Sequence, residues 1–434
     1  MGKLNIAMLS MGEDNLPQSP ETVVLDDNFR ELGNQVSDSL DSLSISMDDL
    51  ESIDEAITEA VDTASELMDE ADVVRQAQQQ GDGMSQAALE SIQRNVNYLV
   101  KLVGMAPTAS FALESYSNPR YNDVAMESAV DNIKAFIKRI WDAIKSAFDK
   151  TVEIIQNLYK KFFDVSVKLK ARAEALGKKA KAQTGKTAPA DMLVGGLSLS
   201  KYMRFKNKAL TPEELLKNFD KWTAYSHNFI SGIAGDKAIV EYKKHVEDVT
   251  KLLKETTKER DAKKLKAHAD MLANRFLKRT TDSFQFKKNG LHNTDVLLGD
   301  IVYVFDEKEV SFFVDAVDNH KELPTEQTHE VLTTAQVETM CAKISAHMDS
   351  YKNMEKHFKN LADFKKSISE IAAQTIKSDD PTDYLINKMI TQVASFTIKA
   401  FIKAIQNVGV GARRHDMNVD TAVVDWCEKS LVVL

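Results

Sequence analysis

The sequence is poor in the residues that build disulfide frameworks and metal sites. It contains only two cysteines, Cys341 and Cys427, and neither stands at a metal-binding spacing from other candidate ligands. A disulfide framework is therefore excluded, and both thiols are expected to be inert core residues in a reducing compartment. The nine histidines are also scattered, so the sequence predicts no zinc or iron site and no other cofactor.

Turn-forming residues are scarce as well. The chain has eight prolines and sixteen glycines in 434 residues, which favours long helices over a turn-rich all-β fold. We expect a mainly α protein, a multi-helix bundle with a small β-hairpin or three-stranded sheet inserted in it. An acidic helical and flexible propeptide should precede this bundle. The length suggests two or three domains.

Long apolar runs and catalytic motifs are missing too. No stretch approaches 18 uninterrupted apolar residues, and the N-terminus lacks the basic and apolar regions of a secretory signal. No nucleophile elbow or paired-carboxylate motif is present. Gly185-Lys186-Thr187 is not a phosphate loop, because Ala180 stands where the first glycine is needed. We expect no enzymatic activity and name no catalytic residue.

Charge, in contrast, is abundant and unevenly distributed. Residues 1–127 hold 24 acidic and 6 basic residues, whereas residues 128–434 hold 50 basic and 41 acidic residues. The chain's net charge of −9 therefore combines an acidic leader (1–127) of −18 with a basic body (128–434) of +9. This asymmetry predicts a polyanionic partner for the body and a neutralising role for the leader.

The strongest helical pattern runs from Asp131 to about Leu176. Apolar residues recur every three or four positions on one side, with lysines opposite. We call eight of these lysines the lysine face and expect them to bind a polyanion: Lys134, Lys138, Lys145, Lys150, Lys160, Lys161, Lys168 and Lys170. The same pattern is typical of a membrane-surface helix, so a membrane partner is the alternative, although solvated bundle helices are commoner.

The remaining segments complete the predicted architecture. Helices are expected over 36–77, 86–103, 212–231, 236–258, 260–280, 325–359, 360–377 and 381–408, with a linker over 104–122. Gly409 and Gly411 are expected to end the last helix, and β-branched and aromatic residues at 296–305 and 310–314 predict a hairpin. Phe284 and Phe286 are candidates for a third strand.

These segments group into five regions. They are an acidic propeptide (1–127), a basic amphipathic helical region (128–208), a helical region (209–282), a small β element (283–318) and a C-terminal helical bundle (319–434).

One short pattern recurs near the end of the leader, with a small residue two places before a glutamate and a serine after it. The copies are Ala88-Leu89-Glu90-Ser91, Ala112-Leu113-Glu114-Ser115 and Ala125-Met126-Glu127-Ser128. Of the 11 glutamates before Ser128, five have Ser, Ala or Gly two residues earlier, and none of the 17 after it does. A protease with a shallow pocket and a carboxylate-binding pocket could cleave there in exposed backbone. The alternative is that these residues are simply common in acidic helices.

An acidic segment ending in small-x-Glu sites, followed by a lysine-rich helical body, resembles the internal head proteins of giant tailed bacteriophages. In that family a prohead protease trims scaffold and inner-body proteins after Ser/Ala/Gly-x-Glu. The resemblance covers residues 1 to about 160. In T-even phages the corresponding rule asks for a large aliphatic residue two places before glutamate, and Ile53-Asp54-Glu55 and Ile57-Thr58-Glu59 fit that rule.

The resemblance implies a structural virion protein of the phage head interior, made as a precursor in the host cytoplasm. Its partners would be the prohead protease, other head proteins and packaged double-stranded DNA, bound without sequence preference. Such proteins are typically ejected with the genome, which implies a possible later stage in the host. The main alternative is a membrane-active helical protein unmasked when the leader is removed. A third reading is an ordinary structural or adaptor bundle.

Overall fold

Helices dominate the part of the chain that the structure describes. This computed structural model describes residues 27–81, 83–111, 119–183, 185, 192–195, 197–255, 262–309, 311–316, 327–353, 364, 366, 392, 396 and 398–434. The α-helices are α1 (Asp27–Gln80), α2 (Gln86–Leu102), α3 (Pro119–Ala182), α4 (Leu197–Tyr202), α5 (Pro212–Ala234), α6 (Asp236–Glu255), α7 (Ala262–Thr281), α8 (Thr334–Asp349) and α9 (Arg413–Val433). A 3-10 turn (Ser350–Asn353) follows α8, and a π-helix (Ala404–Ala412) runs into α9.

The strands are short. They are β1 (Met192–Gly195), β2 (Arg204–Phe205), β3 (Lys208–Ala209), β4 (Phe286–Lys288), β5 (Leu291–Asn293), β6 (Ile301–Asp306), β7 (Ser311–Ala316) and β8 (Gln327–Glu330). They form one antiparallel sheet in the order β4-β5-β6-β7 and two antiparallel pairs, β1-β8 and β2-β3. The expected fold class, a mainly helical protein with a small β element, is confirmed.

The long helix α3 lies at the centre of the fold. Its 64 residues extend over about 96 Å at the helical rise, and it packs against both α1 and α8. The predicted apolar stripe is buried: Ile133, Ile137, Ile140, Ile144, Phe148, Ile155, Leu158 and Phe162. The helix predicted over 131–176 is confirmed and extends at both ends. The junction between leader and body therefore falls inside α3.

Helix starts follow the local capping chemistry. Thr211 Oγ1 accepts a hydrogen bond from the Glu214 backbone N–H at 3.2 Å, and Glu214 Oε2 accepts one from the Thr211 N–H at 3.2 Å. This reciprocal pair is a capping box, and it fixes the start of α5. Thr333 and Gln336 make the same arrangement at the start of α8.

The sheet has four strands, one more than the three-stranded form that was expected. Phe286 lies in β4, as predicted for the third strand, and β5 is the additional strand. Asn289 and Gly290 both have positive φ (55° and 87°), so they form a two-residue turn that joins β4 to β5. Phe305 and Phe312 face each other across β6 and β7, with ring centroids 4.7 Å apart. Phe284 stacks on both rings and connects the sheet to α5, although it precedes β4 instead of lying in a strand.

Three local predictions were wrong. The strand expected over 296–305 begins at Ile301, because Gly299 and Asp300 adopt positive φ and turn the chain. The helix expected over 325–359 is preceded by β8, which pairs with β1 across the fold, and it starts only after the Thr333 cap. The third error concerns the end of the last predicted helix.

Gly409 and Gly411 do not end that helix, because the π-helix continues through both of them into α9. A Cβ on Gly409 would lie 3.1 Å from the Ala234 Cβ, so the glycine allows close packing against α5. Between 398 and 405 the described residues are mostly buried, as a core helix requires. The helix predicted over 360–377 lies almost entirely outside the described residues.

Candidate processing sites and lysine face

All eight residues of the lysine face lie on α3. Lys138, Lys145, Lys150 and Lys160 are exposed, and the other four are half-buried. From Lys134 to Lys170 the helix rises about 54 Å, which equals about 16 steps of 3.4 Å along a DNA strand. The sequence pattern thus places eight ammonium groups along the half of α3 that faces away from the apolar stripe.

Part of the lysine face is already paired within the protein. Lys170 Nζ lies 2.6 Å from Asp349 Oδ1 and 3.8 Å from Glu174 Oε1, and Lys134 and Lys161 also have partners. The other five residues of the face have no carboxylate within 4.0 Å among the residues that the structure describes: Lys138, Lys145, Lys150, Lys160 and Lys168. These five are the best candidates for external phosphates.

The candidate site at Glu127 is helical. Ala125-Met126-Glu127-Ser128 lies within the first three turns of α3, and the side chains of Ala125 and Met126 are fully buried, whereas Glu127 is exposed. A protease needs an accessible, unfolded segment. Cleavage at Glu127 therefore requires the start of α3 to open, either by fraying or before the helix has packed.

The other two candidate sites differ in their surroundings. Ala88-Leu89-Glu90-Ser91 occupies the first turns of α2, behind the Ser85 N-cap, with Leu89 fully buried and Glu90 hydrogen bonded to Gln86 at 3.0 Å. Ala112-Leu113-Glu114-Ser115 lies outside the described residues, between Phe111 and the start of α3.

The described part of the predicted linker is irregular but tethered. Asn97 exchanges two hydrogen bonds with the backbone of Ala109, at 3.0 and 3.3 Å. The Phe111 N–H donates to Gln93 Oε1 at 3.3 Å, and Asn132 Nδ2 donates to the Ser110 carbonyl at 3.2 Å. Side-chain amides of α2 and α3 therefore hold this backbone. The linker is also shorter than expected, because α3 begins at Pro119 and not after Asn122.

The leader is an integral part of the folded chain. Leu50, Ile57, Ala64, Leu67 and Val74 of α1 are buried in the same core as α3. Two leader carboxylates also pair with lysines of the body: Asp54 Oδ2 lies 2.6 Å from Lys403 Nζ, and Asp62 Oδ1 lies 3.6 Å from Lys399 Nζ. The leader therefore covers apolar surface and neutralises positive charge in the body.

Comparison with known families gives a match over most of the chain. The family model of phiKZ-like phage internal head proteins matches residues 46–427. The chain belongs to this family. No curated protein and no solved structure gave a match.

This internal head protein is therefore a structural component of the phage head interior, as the sequence resemblance implied. The match extends far beyond residue 160, where the resemblance seen in the sequence ended. It also includes most of the leader, so residues 46–127 are part of what defines the family.

The internal head protein also has a buried polar cluster that the sequence did not reveal. His347 Nδ1 lies 2.8 Å from Asp420 Oδ2, and Ser226 Oγ donates to both oxygens of Asp416 at 2.8 and 2.9 Å. Arg413 Nη1 donates to the Gly409 carbonyl at 2.6 Å. These residues come from α5, α8 and α9, so no sequence spacing connects them.

Charge in this cluster depends on protonation. Burial lowers the pKa of His347, but the charge and hydrogen bond of Asp420, with Asp416, outweigh burial and raise that pKa to about 9. Burial raises the pKa of Asp416 to about 7. His347 is consequently an imidazolium at neutral pH. It also lines an open groove of about 930 Å³ between α5 and α8.

We expect the internal head protein to lose stability between pH 7 and pH 9. The pKa of His347 is about 9 when folded and near 6.5 when unfolded, so its stabilisation is complete below pH 6.5 and disappears as the pH rises through 9. The loss should be on the order of 3 kcal/mol. Urea unfolding across this range measures it, with His347→Gln as the reference. If the wild-type protein and the His347→Gln variant show the same pH dependence of stability, His347 is not the group that titrates.

Neither a metal centre nor a membrane span is seen in the described ranges. No group of three or more His, Cys, Asp or Glu side chains there could hold a metal ion. None of the helices in the same ranges is apolar over a length sufficient to span a bilayer.

Proposed function

We propose that this internal head protein is made as a precursor and cleaved by the prohead protease at Glu127, and also at Glu90 and Glu114. Cleavage removes the leader and changes the net charge of the retained chain from −9 to +9. The mature body then associates with packaged DNA without sequence preference and is ejected with it into the host. During assembly the precursor resides in the host cytoplasm and packs with other head proteins.

One observation carries this proposal. In a protein of the head interior, the sign of the charge changes at the position where the small-x-Glu tetrapeptides end. The DNA in a head is a dense polyanion, and a chain of −9 is repelled from it whereas a body of +9 is attracted. A leader that is cut off during maturation would delay DNA binding until the DNA is present.

The packing of α1 affects how the leader leaves. Each large apolar side chain of α1 that is buried contributes about 1.5–3 kcal/mol, so a single cut at Glu127 leaves α1 held on α3. Ala64-Ser65-Glu66 has a small residue two places before glutamate, although no serine follows it, and it lies within α1. We infer that release requires either a cut within α1 or cleavage before α1 and α3 have packed.

Contact with DNA would use the lysine face. Ammonium groups on flexible stems bind phosphates as point charges and do not read bases. The five lysines without a carboxylate partner in the described ranges lie on one helix, which suits the regular backbone of duplex DNA. This mode of binding needs neither a recognition helix nor a stacking surface.

Membrane activity is the second candidate function, and one observation favours it. The apolar stripe of α3 is packed against α1, so loss of the leader would uncover an amphipathic helix with lysines opposite its apolar side. The test compares protein from mature heads on duplex DNA and on anionic lipid vesicles. DNA binding without vesicle leakage supports the first function, and leakage without DNA binding would replace it with the second.

A further inference from the structure

The two ion pairs between leader and body cover specific lysines of the body. One of them is formed by a buried carboxylate. Asp54 is 3% exposed, and its Oδ2 lies 2.6 Å from Lys403 Nζ. Its other oxygen, Oδ1, is buried without a hydrogen-bond partner. A buried carboxylate is unfavourable unless a cation compensates it. The ion pair with Lys403 therefore offsets the cost of burying the Asp54 carboxylate.

Lys403 and its neighbour Lys399 stand on an otherwise apolar segment. They are one helical turn apart, and Ile398, Phe401 and Ile402 are buried around them. Residues on a helix with this spacing lie on the same face. With the leader in place, the side chains of Lys399 and Lys403 are 30% and 25% exposed, so both are already close to the surface.

This lysine pair lies beside the apolar stripe of α3, at the height of the middle of the lysine face. The Phe401 ring packs on Phe148 of α3, with centroids 6.2 Å apart. Phe148 stands between Lys145 and Lys150 in the sequence, and both of these lysines are exposed. Lys399 and Lys403 are therefore on the neighbouring element at the same level of α3.

We propose that Lys399 and Lys403 are a second, concealed phosphate-binding pair, which Asp54 and Asp62 occupy in place of DNA phosphates. A carboxylate and a phosphate present the same kind of anionic oxygen to an ammonium group. Removal of the leader uncovers both lysines and enlarges the DNA-binding surface from five available lysines to seven. This inference rests on the proposed DNA-binding function and assigns how the leader regulates it.

The first test uses the full chain. Asp54→Asn with Asp62→Asn should free the lysine pair and raise affinity for duplex DNA at about 50 mM salt at least tenfold. Two additional phosphate contacts should also make the loss of affinity between about 50 and 200 mM salt about 12-fold larger. Adding Lys399→Gln with Lys403→Gln should abolish both effects, whereas the same two lysine changes in the otherwise wild-type chain should leave its DNA affinity unchanged.

The matched control changes net charge equally without touching the lysine pair. Glu55 and Glu59 are exposed residues of the same helix, so Glu55→Gln with Glu59→Gln removes two leader charges and frees neither Lys399 nor Lys403. An equal gain in both double variants would overturn the inference and leave DNA binding by the body intact. A processed body that does not bind DNA would instead remove the proposed function itself.

A second test needs no substitution and does not depend on how the variants fold. Amine-reactive labelling followed by peptide mass analysis should find Lys399 and Lys403 protected in the uncut chain and at least several-fold more reactive after processing. Duplex DNA should protect them again, while exposed Lys138 reports on the lysine face in both forms. Equal labelling of Lys399 and Lys403 before and after processing contradicts the inference.

Discussion

Protein extracted from mature heads should bind duplex DNA with an affinity that falls steeply with salt, and the uncut chain should bind the same duplex much more weakly under the same conditions. Each phosphate contact releases condensed counterions, so the slope of log affinity against log salt is about −0.9 per contact. Five available lysines on α3 give a slope of about −4.5. Raising salt from about 50 to about 200 mM should then weaken binding about 500-fold.

Two variants test whether the lysine face is responsible for the salt-dependent binding of DNA. The first variant replaces the five available lysines of the lysine face with Gln, and it should lose most of this salt dependence. These lysines are Lys138, Lys145, Lys150, Lys160 and Lys168. The matched control neutralises five exposed lysines on other helices of the body: Lys217, Lys221, Lys237, Lys244 and Lys278. Fluorescence anisotropy with a labelled duplex measures both. If the two variants lose affinity equally, binding depends on net charge and the lysine face has no special role.

The largest effect on stability is expected at Arg172. This residue of α3 is 6% exposed, its Nη2 lies 2.8 Å from Asp425 Oδ1, and it also bonds Glu428 on α9. Burial raises the pKa of Asp425 even with the arginine beside it, so these carboxylates depend on the guanidinium. Arg172→Met should lower the free energy of unfolding by about 3–5 kcal/mol, because the buried Glu428 and the half-buried Asp425 both lose their cation.

A charge-free version of the same contact provides the control. Arg172→Met combined with Asp425→Asn and Glu428→Gln removes the whole ionic group, and such replacements are often close to neutral. We expect this triple variant to recover most of the stability lost in the single variant, as measured by urea unfolding. A single variant that loses less than about 1 kcal/mol would show that α9 is held to α3 by other contacts.

Helical periodicity identified most of the fold. The apolar stripe of α3 is a local feature, and it appears where the sequence placed it. The additional strand β5 also had a local signal, because Asn289-Gly290 is the strongest short-range indication of a tight hairpin turn.

Other features have no local signal. Strand β1 pairs with β8, more than a hundred residues away, and short strands with no alternating pattern do not reveal a distant partner. The His347–Asp420 pair and its neighbour Asp416 are brought together only by the packing of α5, α8 and α9. The ion pairs of Asp54 and Asp62 likewise depend on how α1 lies against the residues before the π-helix.

The conformation of the candidate processing sites was also not predictable from the local sequence. The tetrapeptides were recognisable as a pattern, and proline and serine content predicted open backbone around them. The structure instead starts α3 at Pro119 and places Glu127 on a packed helix. Tertiary burial of Ala125 and Met126 explains the difference, because the apolar stripe of α3 begins before the predicted boundary.

The N-terminus of the chain in purified mature particles tests the central claim most directly. Peptide mapping of protein extracted from such particles should find a new N-terminus at Ser128, or at Ser115 if Glu114 is the final cut, with peptides of α1 depleted. Recovery of the original end at Met1 or Gly2 in the mature particle would contradict the account, since the negative leader would then still cover the positive body.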